Sequence, residues 1–172
     1  MPKGLKETSS LITIGAVVTE SAANTFTQAQ VDLQLNPLDN EVFVVQAIDL
    51  NLTPPDYDGA RSTDVFGSLS TTSRTAIGDL GDSNIMAVAR DSIQVDEVQG
   101  NPNGVAFVRK SGETPTANLD YIGIIATNDF FLQIRGNDNQ SAKNMSAKVY
   151  GYRAKADSSV YAALVQSELL SA

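Results

Sequence analysis

Apolar and polar residues alternate along most of this chain with a period of two, the signature of half-buried β-strands. It is clearest over residues 26–35, where Ala29, Val31, Leu33 and Leu35 share one face and Gln28, Gln30, Asp32 and Gln34 the other. Residues 11–19 are rich in β-branched side chains and predict a strand. Residues 41–52 carry the strongest β signal. Their first half is apolar on both faces. Their second half sets Ile48, Leu50 and Leu52 against Asp49 and Asn51, as in a strand that starts in a core and ends at an edge or a wet face. Further strands are predicted at 85–95 (with a break near Asp91), 105–110, 121–126, 130–135 and 147–154.

Turn residues punctuate these runs: Asn36-Pro37-Leu38-Asp39-Asn40, Asn101-Pro102-Asn103-Gly104 and Gly136-Asn137-Asp138-Asn139. Residues 53–75 read as one long loop. Pro54 and Pro55 exclude helix and central strand at its start, and its Ser/Thr cluster, residues 68–75, offers at best a late strand. From Ser158 the period changes. Val160, Ala163 and Leu164 fall on one helical face with Tyr161, Val165 and Leu169 beside them, and Asp157 or Ser158 is placed to cap. Such a helix packs either on its own sheet or on a neighbouring subunit. The expected division is a polar N-terminal arm over 1–10, a β-sandwich over 11–156 and a helical tail over 157–172. The fold class is all-β, an antiparallel sandwich of about eight strands with a short C-terminal helix.

Composition narrows function mainly by what it lacks. The 172 residues include no Cys, His or Trp. Disulfides, thiolate nucleophiles, imidazole-based triads and most catalytic zinc sites are thereby excluded. No enzymatic activity is expected; an enzyme working with carboxylates alone or with a Ser–Lys pair is the remaining route. Twenty acidic against twelve basic residues give a net charge of −8, which favours solubility and disfavours strong direct nucleic-acid binding. The opening residues lack the apolar stretch of a secretion signal, so synthesis in the cytoplasm is expected.

Local chemistry is sparse. Asp56, Asp58 and Asp64 around Gly59 loosely match a calcium loop without EF-hand spacing; an unmetallated acidic surface loop is the alternative, and no metal or other cofactor is expected. Carboxylate pairs for glycoside hydrolysis would come from Asp56, Asp58, Asp96 and Glu97, but Phe43, Phe107, Phe130 and Phe131 sit in strand patterns as core residues rather than as sugar platforms. Gly78-Asp79-Leu80-Gly81-Asp82 is a turn without phosphate-loop spacing. Lys148, Tyr150 and Tyr152 share a strand face, which suits a solvated sheet better than a nucleic-acid groove.

The order of these parts is a polar arm, a β-rich body, a long Pro-Pro-Asp loop after the third strand, and a closing strand (144–155) before a helical tail. With the segments Asn128-Asp129-Phe130-Phe131-Leu132-Gln133-Ile134-Arg135-Gly136 and Val149-Tyr150-Gly151-Tyr152-Arg153-Ala154, it resembles the single jelly-roll major capsid proteins of bacterial and archaeal viruses. That resemblance implies a jelly roll, a homo-oligomeric shell lattice as the main partner, further capsid or membrane proteins as others, and the virion as location. The chain departs from RNA-packaging relatives in its arm, which holds only Lys3 and Lys6 beside Glu7. The rival is a ligand- or carbohydrate-binding sandwich using the Asp56–Asp64 loop.

Overall fold

The computed structural model describes residues 3–95, 104–109, 112–113 and 120–170. Among them are eleven strands, a short 3-10 turn at Pro37–Asp39 and one helix, α1 (Ser158–Leu170). The strands are β1 (Leu5–Glu7), β2 (Ile12–Thr19), β3 (Thr27–Asp32), β4 (Glu41–Leu52), β5 (Thr63–Ser70), β6 (Ile85–Val95), β7 (Gly104–Arg109), β8 (Gly112–Glu113), β9 (Gly123–Ile125), β10 (Asp129–Asn137) and β11 (Asn144–Ala156).

They form two antiparallel sheets. In the first, β1 and β2 pair with one edge of β11, β4 pairs with the other, and β8 and β9 lie beyond β4. The second runs β3-β10-β5-β6-β7. The pairs nest: β2 with β11, β3 with β10, β4 with β9, β5 with β6. A long antiparallel hairpin folded over on itself produces this order, which defines a single jelly roll.

The core lies between the sheets. Phe43, Ile48, Leu50 and Val149 of the first meet Val65, Leu69, Phe130, Leu132 and Ile134 of the second, all essentially without solvent exposure. A second apolar layer lies outside the first sheet, where Val160, Tyr161, Leu164 and Val165 of α1 cover Val42, Val44, Tyr152 and Ala154. This explains the double-sided apolar half of β4. Between Val45 and Ile48 a bulge leaves Gln46 without a partner on β11, which reverses the inward parity. Residues 43 and 45 point to the core before it, and 48, 50 and 52 after it. The strand ends on a wet outer face at Asp49 and Asn51. Opposite the bulge, a Cβ on Gly151 would lie 2.3 Å from the Val44 carbonyl oxygen and 2.7 Å from the Phe43 ring, so only glycine fits.

Four expectations are corrected. The segment 63–70, taken from sequence as loop, is the central strand β5, because its buried hydroxyls find partners on β10. Residues 5–7 of the polar arm form β1 and pair with residues 154–156. Phe107 is 55% exposed on the edge strand β7, whereas Phe43 and Phe130 are buried. β6 runs unbroken through Asp91. The helix packs on its own sheet, and Leu169 points away from it, 64% exposed.

Candidate functional site

The acidic loop singled out by sequence lies at one end of the sandwich, where the connections 20–26, 53–62 and 138–143 meet. Asp56 is its hub. Its carboxylate accepts from Lys143 Nζ at 2.6 Å, from the Gln140 and Ser141 backbone N–H groups at 3.0 Å, and from the Ser141 hydroxyl at 2.9 Å. Its own N–H donates to Asn139 Oδ1. The Lys143 hydrogen bond, helped by Ser141 and opposed by burial, holds the Asp56 carboxyl at about 2. Lys143 is 3% exposed, a burial that a lysine tolerates only with such a partner.

Around this hub the loops tie to one another. Buried Glu20 accepts from the backbone N–H groups of Gly136 and Lys143 at 2.6 and 2.8 Å. Asn24 and Asn139 exchange reciprocal hydrogen bonds at 2.8 Å. Asn24 and Asp138 adopt left-handed φ of 63° and 55°, which Asn and Asp accept more readily than other non-glycine residues.

The three candidate calcium ligands are not brought together. Asp56 is occupied by Lys143. Asp58 accepts from the Ala60 N–H in its own turn. Asp64 accepts from Arg90 Nη2 at 2.8 Å. Among the described residues no group of three or more His, Cys, Asp or Glu side chains could hold a metal ion. Asp96 and Glu97, Lys110, and residues 101–103 of the predicted turn lie outside the described residues. The supposed stacking face is divided as well: Lys148 is exposed, but Tyr152 lies buried under α1.

Sequence spacing did not point to the outer face of the second sheet. Gln133 is fully buried there. Its carbonyl oxygen accepts from Ser68 at 2.9 Å, and its amide donates to Ser70 at 2.6 Å and to Gln28 at 3.1 Å. Residues 71–84 strap across this face. Arg74 donates to Asn84 and Asp82, both at 2.8 Å, and Gly78 N–H donates to Ser68. Beside the strap an open concavity of about 530 Å³ has Phe66, Val88, Arg90 and Arg135 in its floor and Ile77 to Asp79 in its wall. Arg135, Phe66 and Arg90 occupy one row across β10, β5 and β6, and the Arg90 guanidinium stacks 4.7 Å from the Phe66 ring centre.

No protein-family model and no curated protein sequence matches the chain. Solved structures that resemble it include one of Cocksfoot mottle virus, at 9% identity over 94% of this chain and 88% of that one, with a TM-score of 0.34. Another is of Desmodium yellow mottle tymovirus, at 9% identity over 92% of this chain and 96% of that one, with a TM-score of 0.29. At these values neither likeness carries functional weight.

Proposed function

We propose that this chain is a non-enzymatic structural subunit that works by binding copies of itself, as a building block of a viral shell. The observation that carries the proposal is the internally locked loop end of a jelly roll. Glu20, Asn24, Asp56, Asn139 and Lys143 spend their polar groups on one another, which suits a stiff corner that meets a neighbour in one geometry. Shell assembly needs repeated contact between identical patches and no chemistry. The finer assignment, a capsid protein of a bacterial or archaeal virus residing in the virion, draws on the resemblance of residues 128–136 and 149–154. The charge of −8 on these 172 residues favours leaving the genome to other proteins or to an internal membrane.

Electron microscopy of the purified chain at rising concentration tests this. Shells, rings or sheets are expected. A monodisperse monomer at every concentration overturns the reading, and particles of this chain alone that package RNA at physiological salt overturn the genome assignment. A ligand-binding module draws support from the open concavity beside Phe66 and Arg90; calorimetry across a glycan screen is its test.

A further inference from the structure

Every open sheet leaves edges whose unpaired N–H and C=O groups invite another strand, and monomers blunt them by shortness, charge, proline or bulges. The edges here can be compared. On one side of the first sheet, β8 and β9 have two and three residues. In the second sheet, β3 ends in Asp32 and alternates with Gln28 and Gln30, and β7 contains Arg109. The remaining edge is β2, eight residues reading Ile-Thr-Ile-Gly-Ala-Val-Val-Thr. It has no charge and no proline, and its register with β11 is unbroken from Ile12 to Thr19. Among the described residues nothing pairs with its outer side.

Three observations add to this. Val17, on the outer face of β2, is 62% exposed, and Leu11 just before it is 61% exposed. Gly15 sits between them, and a Cβ there would meet nothing within 4 Å. A strand glycine normally marks a close approach or a strained backbone, and this chain's own packing asks for neither. Finally, the chain carries a charge of −8. Most ways of bringing two copies together oppose like charge, and an uncharged strand edge avoids that cost.

We infer that the free edge of β2 pairs antiparallel with β2 of a second copy about a two-fold axis, joining the first sheets of two subunits into one continuous sheet. The partner is a second copy because an antiparallel edge is self-complementary: each strand presents to the other the same alternation of donors and acceptors. A single strand pair falls short of the area of a stable dimer, so the contact is weak alone and gains strength when repeated in a lattice. The inference rests on the self-assembly reading and names one of its contacts.

The chain lacks cysteine, which gives a clean test. Thr13→Cys, Gly15→Cys and Val17→Cys each introduce a single thiol on the outer face of β2, and Leu38→Cys on the 3-10 turn, 93% exposed, is the control. Opposed residues in an antiparallel pair have Cα atoms about 4.5–5.5 Å apart, within disulfide reach. Under mild oxidation, at least one β2 variant, alone or mixed with another, is expected to form disulfide dimers at least tenfold faster than Leu38→Cys. Val17→Lys, which leaves an exposed side chain exposed, is expected to weaken self-association at least tenfold while the monomer unfolds as before. If the wild type assembles but β2 thiols cross-link no faster than the control and Val17→Lys assembles normally, the β2 contact is overturned and the self-assembly reading stands. If β2 thiols cross-link in dimers that never grow further, the contact stands and the shell reading is overturned. A wild type that does not assemble, together with β2 thiols that cross-link no faster than the control, overturns both.

Discussion

The two sheets of this sandwich cover their outer faces by opposite means. Over the first, α1 lays Val160, Tyr161, Leu164 and Val165 on Val42, Val44, Tyr152 and Ala154. Over the second, residues 71–84 and the Gln133–Ser68–Ser70 cluster form a hydrogen-bonded lid in which each donor has a named acceptor. An apolar cover scales with area, is non-directional, and tolerates changes of shape that conserve volume. A polar cover depends on stoichiometry, because one missing partner leaves a buried group unsatisfied. Among the described residues no buried side-chain polar atom lacks a partner, so the polar lid is fully matched.

The difference can be broken at several strengths. Ending the chain at Asp157 removes the apolar cover outright; it should cost about 3–5 kcal/mol, from four partly buried apolar side chains, and should lower solubility by baring Val42, Val44 and Tyr152. Urea unfolding of the truncated chain measures this. Gln133→Leu should cost about 2–4 kcal/mol, because Ser68 and Ser70 lose a buried partner. On the apolar side the comparable change, Leu164→Met, should cost less than about 1.5 kcal/mol. Equal losses for these two would erase the distinction. Adding Ser68→Ala and Ser70→Ala to Gln133→Leu should recover only part of the loss, since the Gly78 N–H and the Thr72 carbonyl then lose the hydroxyls they bond.

Acidity separates two carboxylates in opposite directions. Glu168 of α1 accepts from the Ala126 and Thr127 N–H groups at 3.0 and 2.9 Å, yet burial raises its pKa above the usual 4.5. A raised carboxyl favours folding most at low pH, and that contribution fades as pH climbs through the folded value. Asp56, held at about 2, contributes above pH 3.8 and is lost as pH falls toward 2. Relative to wild type, Glu168→Gln should therefore gain stability from pH 4 to 7, whereas Asp56→Asn should lose it from pH 2 to 4. Denaturation midpoints across that range check both signs. The smallest effect belongs to the Lys155–Asp39 pair, 3.4 Å apart with both side chains more than half exposed; Lys155→Ala should shift stability by less than about 0.5 kcal/mol in urea unfolding.

The same contrast decides what was legible in the chain. β2, β3, β4, β6, β10, β11 and α1 are written in apolar periodicity, and a local pattern reveals them. β5 is not, because Ser68 and Ser70 belong in a core only once Gln133, more than sixty residues away, is known to meet them. The ion pairs of the acidic loop were hidden for a related reason. Spacing shows Asp56 and Asp64 as oxygen donors in a loop, but their cations, Lys143 and Arg90, arrive from β-strand connections and strands 87 and 26 residues distant. Phe107 shows a further limit, since an edge strand and a core strand share one alternation and differ only in what lies beyond them.

The bulge at Gln46 gives β4 one residue of slack. Loss of Gln46 would straighten the ladder and leave Val45 and Ile48 two positions apart, so that Ile48 and Leu50 stay on the core face and Asp49 and Asn51 on the wet one. Chains built on this plan can lose one residue at the bulge but not in the regular ladder on either side of it, and a deletion scan along β4 should show its shallowest point at Gln46.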